Sequence, residues 1–237
     1  NNLKDTEQLI RFVDEIPNNN KDIGTSPLVG VAITPRFVPT CSLELMNGLG
    51  LLATKYKSSS HVLIQTHVAE SHDEVEFVRM LHPDIGNGRD LAVLDSCKLL
   101  TSNTVLAHAV HMNDNEINLV SDRKVSIAHC PLSNAYFAGS VLPVKRLLQA
   151  GVTVGLGTDV AGGYDPSILS AIRTCILSSK LLSSGVDSYS IHGSSSSSTQ
   201  SSNSGDGNAD GNNDPIQSMK TLNPSIDYKE ALWLATV

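Results

Sequence analysis

The residues best equipped for chemistry stand in four short stretches: Gln65-Thr66-His67-Val68-Ala69-Glu70, His108, His129-Cys130-Pro131 and Gly157-Thr158-Asp159. Imidazole nitrogens and carboxylate oxygens bind transition metals, move protons near neutral pH and orient polar substrates. Each stretch follows a run of β-branched and apolar residues, so each group is carried at or near the C-terminal end of a strand candidate. In barrels and open parallel sheets alike, that end of the strands is the functional face. One histidine near a strand end says little; four coincident strand ends point to a site.

The glycines around Asp159 invite a different chemistry, a phosphate cradle. A dinucleotide fingerprint needs a third glycine where Val160 stands after Gly155-Leu156-Gly157, and a nucleotide-hydrolase loop needs Gly-Lys-Ser/Thr, with no lysine nearby. Both phosphate patterns fail. An acidic side chain just past a strand, with Gly162 and Gly163 leaving room beside it, fits metal binding better. No short-range zinc motif occurs, neither H-E-x-x-H nor H-x-E with P-C-x-x-C. Any ligands must therefore converge from separate strands.

The elements that would carry these groups follow from apolar patterning. Strands are expected at 29–33, 61–66, 103–109, 125–129 and 152–156, the first running into Pro35-Arg36-Phe37. Helices are expected to start near Ser42, His72, Asn113, Val141 and Asp165. Asp165 should cap the last, with Pro166 in its first turn and Ile168, Ile172, Ile176 and Lys180 on one stripe. Repeated βα units imply a parallel sheet, open or closed into a barrel. From about Leu182 to Asp214 the chain turns to Ser, Gly, Asn and Asp, a composition expected to be disordered. It reads as a surface insertion in one fold rather than a linker.

Composition sets the bounds. The 237 residues are 40% apolar and 17% charged, which suits a soluble α/β core. A net charge of −7 argues against a nucleic-acid surface, and no apolar run is long enough to span a membrane. Cys41, Cys97, Cys130 and Cys175 lie far apart, as expected of reduced thiols in the cytoplasm. His61, His72, His82 and His192 are expected to be solvated, and His111 to be a loop histidine. His129 could shape the chain or line a substrate pocket, and Asn134 could face that pocket. Asp73, Glu74 and Glu76 read as a charged helix face.

Taken in order, "PRF", "IQTHVAES-x-DEVE", "TVLAHAVHM", "SIAHCPLSN" and "GLGTDVAGGY" resemble the amidohydrolase superfamily, and within it the guanine deaminases. "HCP-x-SN" and "GLGTD" carry the superfamily; "PRF" with "TDVAGGY" is narrower. The resemblance implies an α/β fold, part of a TIM-like (β/α)8 metal-dependent hydrolase barrel with strands four to eight present and the first three missing. It implies one Zn2+ per subunit, with His67 and Asp159 as ligands, and Glu70, His108 and Asp159 as catalytic groups. Arg36, Phe37, Gln65 and His67 would line the substrate site. The expected reaction is hydrolytic deamination of a small-molecule purine, guanine, with no nucleic-acid or membrane partner and a homodimer left open. A related aminohydrolase of another amino-heterocycle, or a non-catalytic remnant, are the alternatives.

The family's remaining two zinc ligands form an H-x-H pair, and no H-x-H occurs in these residues. The chain begins on Asn1, in a helix-like stretch, and ends on "YKEALWLATV". It is therefore read as an N-terminally truncated fragment, expected to be inactive alone. Residues 1–182 would form the partial barrel, 183–214 the insertion and 215–237 a C-terminal helix of the same domain.

Overall fold

The β-branched runs form five short strands in the computed structural model, which describes residues 2–16, 29–59, 61–185 and 224–236. They are β1 (Val31–Ile33), β2 (Val62–Val68), β3 (Thr104–His108), β4 (Ser126–His129) and β5 (Thr153–Leu156). All pairs are parallel, and the sheet order is the chain order, β1-β2-β3-β4-β5. Parallel neighbours need a crossover, and helices supply it. An N-terminal α1 (Asn2–Asp14) precedes β1, and α2 (Leu43–Lys55) leads to β2. Two helices, α3 (His72–Leu81) and α4 (Asp90–Ser96), link β2 to β3, and α5 (Asp114–Arg123) links β3 to β4. Then α6 (Pro131–Tyr136) and α7 (Val144–Gln149) lead to β5, followed by α8 (Ile168–Ser183) and α9 (Tyr228–Leu234).

Alternation along the strands separates two faces. Val31, Ile33, Val62, Ile64, Leu106, Ile127 and Val154 are buried in one core with Met46 and Leu49 of α2, Val78 of α3, Leu94 of α4, Ile117 of α5 and Leu147 of α7. Truncating a fully buried member such as Leu106 to alanine costs about 2–5 kcal/mol. The opposite face is more accessible: Ala32 and Leu63 are exposed, and Gln65, His67, Ser126, Ala128 and Gly155 are half-buried. Gln65 and His67 of β2 therefore project away from the helix layer, while Thr66 lies on the buried face. Ile226, Ala231 and Leu234 join the same core, and the Ile226 N–H donates to Ser179 Oγ at 2.9 Å.

Three expectations are corrected. The last long helix does not start on Asp165: Ser167 is its N-cap residue, and Asp165 Oδ1 accepts from the Ser167 N–H at 2.9 Å in a turn one step earlier. Its buried face is Ala171, Cys175, Ser178 and Ser179; Ile172 and Ile176 are half-buried, and Ile168 and Lys180 face solvent. Small residues face inward because the helix packs closely against α6 and α9. His61 is not solvated: it is buried, with Nε2 2.7 Å from Asp14 Oδ1 of α1. The serine-rich tract, with His192, lies largely outside the described residues. Among the described residues no helix is long and apolar enough to cross a membrane, and all four cysteines are unbridged.

Candidate active site and metal centre

The site grows from β2. The last residues of this strand lie beside the chain leaving β1, and the Arg36 carbonyl oxygen there collects three donors. It accepts from the His67 N–H at 2.9 Å, from His67 Nδ1 at 2.9 Å and from Thr66 Oγ1 at 3.3 Å. A carbonyl oxygen only accepts, so Nδ1 carries the proton and Nε2 keeps the lone pair a metal needs. The tautomer of His67 is thereby fixed by backbone alone.

Beyond β2 the chain turns through Ala69, whose φ of 46° is left-handed, and presents Glu70 before α3 begins. Ser71 caps α3 by accepting from the Glu74 N–H at 3.2 Å. Glu74 returns its carboxylate to accept from the Glu70 N–H at 2.9 Å. Glu74 is thus no solvated face residue. Burial is the main cause that raises its pKa, and the negative charge of Glu70 adds to it.

His108 ends β3 at φ 67°, followed by Ala109 at 55°. Its Nδ1 donates to Asn134 Oδ1 at 2.8 Å, which assigns the Nε2 lone pair to the side facing Asp159, 4.0 Å from its Oδ2. Asn134 Nδ2 in turn approaches His129 Nδ1 at 3.3 Å. Burial, with the charge of His108 second, lowers the His129 pKa to about 3, so His129 is a neutral structural link behind His108. The neighbouring Cys130 thiol is pushed up to about 12 by burial first, then by the charges of Asp159 and Glu70. In the absence of a metal it stays protonated at neutral pH.

Asp159 stands just past β5 at φ 47°. A Cβ at Gly162 would come within 2.6 Å of Asp159 Oδ2 and 3.0 Å of Ser133 Oγ. A side chain there would displace the carboxylate, so the glycine is a requirement of the site. Non-glycine residues with left-handed backbone cost energy, and their presence at Ala69, His108, Ala109 and Asp159 marks a place where positioning outweighs relaxation.

Three of the expected groups are brought together: ligand atoms of Glu70, His108 and Asp159 all lie within 4.8 Å of one another. His108 Nδ1 is also 3.6 Å from Glu70 Oε1. The His67 ring lies beside His108, with centroids 5.2 Å apart, outside this triad of donors. Gln65 shares the His67 side of β2 two residues earlier. The Arg36 side chain is exposed, with its guanidinium 5.7 Å from the centre of the Phe37 ring. Imidazole and carboxylate groups gathered this closely are donor types that can hold a divalent metal.

Other groups escaped the sequence. His111 is buried, stacked at 3.9 Å on His72, with Nε2 3.0 Å from Ser140 Oγ. Arg89 donates to both oxygens of Glu116, at 3.0 and 2.5 Å, and to the His111 carbonyl at 2.7 Å. Beside them Asp90 is fully buried, and neither carboxylate oxygen has a hydrogen-bond partner among the described residues. Its pKa is raised to about 7, by burial first and then by the charges of Glu74 and Glu116.

The profile of the amidohydrolase family matches residues 3–195, and the chain belongs to that family. Among its relatives, the probable guanine deaminase of Schizosaccharomyces pombe is 42% identical over 181 residues, covering 76% of this chain and 32% of the relative. The guanine deaminase of Homo sapiens is 41% identical over 180 residues, covering 76% of this chain and 37% of its own. The chain thus spans about a third of the length of these curated relatives. A solved structure of guanine deaminase from C. acetobutylicum, with guanine bound in its active site, superposes with a TM-score of 0.69 at 30% identity, over 98% of this chain and 44% of that one. A zinc complex of atrazine chlorohydrolase from Arthrobacter aurescens, at 23% identity and TM-score 0.60 over 73% of this chain and 36% of that one, shares the fold.

Proposed function

We propose that this chain carries a large part of the active site of a zinc-dependent guanine deaminase. The observation that carries this reading is the convergence of Glu70, His108 and Asp159, from the ends of three different strands, in a chain about two-fifths identical to guanine deaminases. The five strands are read as the fourth to eighth of a (β/α)8 barrel, with residues 1–182 and 215–237 in one domain and 183–214 as its insertion.

Asp159 and His67, the latter through the Nε2 left bare by the Arg36 carbonyl, are the residues suited to hold zinc. The H-x-H pair that the family resemblance also requires is not among these 237 residues. Bound zinc would supply a water that ionises near pH ~7. Glu70 moves the protons: it takes one from the attacking water and places it on the purine ring nitrogen as the water oxygen bonds to the carbon bearing the amino group. It then carries the added oxygen's remaining proton to that amine as the carbonyl forms and the carbon–nitrogen bond breaks, so guanine and water become xanthine and ammonia. His108, locked by Asn134, orients the attacking oxygen. Arg36 offers its always-charged guanidinium to the purine carbonyl oxygen, with Phe37 and Gln65 lining the ring.

The test is ultraviolet monitoring of guanine conversion by the protein at its natural length, loaded with zinc. Conversion is expected, with Arg36→Ala raising KM for guanine at least tenfold and leaving zinc content unchanged. No conversion by the zinc-replete wild type would refute the assignment. Conversion of another amino-heterocycle in its place, with guanine affinity indifferent to Arg36, would move the activity to a related aminohydrolase.

A further inference from the structure

We infer that Glu74 is a positioning residue for the proton carrier Glu70, an assignment that rests on the role proposed for Glu70. The geometry is a closed loop of two hydrogen bonds across one turn. Ser71 Oγ accepts from the Glu74 N–H at 3.2 Å, and Glu74 Oε2 accepts from the Glu70 N–H at 2.9 Å. An ordinary capping box returns the third helical residue to the N-cap N–H. Here the returning carboxylate reaches one residue further back, to Glu70 itself.

The consequence is specific to catalysis. Glu70 follows Ala69, which is held at a left-handed φ of 46°, and leads directly into the first turn of α3. Without a fixed N–H this peptide could relax, and the Glu70 carboxylate would leave its place 3.6 Å from His108. The hold comes from a side chain rooted in a helix whose inward face, Val75 and Val78, is buried. Its second oxygen, Oε1, is buried without a hydrogen-bond partner among the described residues. The carboxylate is thus committed to the interior through one bond, made to the backbone of the reacting residue. Glu74 is not among the clustered donors Glu70, His108 and Asp159, and in this assignment it acts through Glu70.

The variants Glu74→Ala and Glu74→Gln, in the natural-length zinc protein, separate positioning from mere stability. A misplacement of about 1 Å costs roughly a hundredfold in rate, so Glu74→Ala is expected to lower kcat by about that factor with KM within about twofold. Glu74→Gln retains an acceptor and is expected to keep kcat within about threefold. Hydrogen exchange at the Glu70 amide, read by mass spectrometry without substrate, should quicken at least tenfold in the alanine variant and stay slow in the glutamine variant. Wild-type kcat in Glu74→Ala, or an equal loss in both variants, would overturn the assignment, as would unchanged exchange at Glu70. Absence of guanine conversion by the wild type would overturn the proposed activity alone, and the exchange comparison would still decide whether Glu74 holds Glu70.

Discussion

Asp90 should make the stability of this fold fall as pH rises through neutrality. Its carboxyl is fully buried without a hydrogen-bond partner among the described residues, between the negative charges of Glu74 and Glu116, with Arg89 the opposing influence. The folded state holds the proton up to a pKa of about 7, against an ordinary value of 3.8. Because the folded pKa is the higher one, the native chain binds more protons than the unfolded chain between these values. The stabilisation is therefore complete below pH 3.8 and is lost as pH rises through 7. A gap of about 3 units at 1.36 kcal/mol each is about 4 kcal/mol. Asp90→Asn removes the ionisation at the cost of a buried amide, about 1–3 kcal/mol. Near pH 5 variant and wild type should melt within a few degrees of each other. At pH 8.5 the variant should be more stable by about 2 kcal/mol, which for a chain of this size is roughly 4–8 °C in Tm. Circular-dichroism melts from pH 5 to 8.5 measure the difference directly. A Tm gap that stays constant across that range would refute the buried, protonated state of Asp90.

Two further outcomes are expected. Gly162→Ala should displace the Asp159 carboxylate, because its Cβ would stand 2.6 Å from Oδ2; zinc content measured by atomic absorption should drop while the melting temperature of the metal-free protein changes little. Native-state titration with a thiol reagent at pH 7.5 should leave Cys130 and Cys175 unmodified, since both thiols are buried and pushed up to about 12, and should modify the half-buried Cys41 first.

The legible part of the molecule was the part that obeys local rules. Strands appeared where β-branched runs predicted them, and Asn113 caps α5 as its spacing to Glu116 implies. Glu70, His108 and Asp159 were readable because strand ends share one rim of a parallel sheet. α6 was hidden because Pro131 at its start looks like a terminator, and α4 because Arg89 offers it no side-chain cap. His61 meets Asp14, and His72 meets His111, across long sequence separations that no periodicity reports. Glu74 was open to detection: Ser71-x-x-Glu74 is a capping signature, masked by the neighbouring charges Asp73 and Glu76.

Arg36 works at one end and is free at the other. The peptide oxygen holds Thr66 and His67, while the guanidinium is left exposed beside Phe37. Any residue supplies a carbonyl, so replacing this side chain leaves the histidine aligned. Under the proposed function, substitutions at this one position would change ligand choice while the His67 tautomer stays set by the backbone.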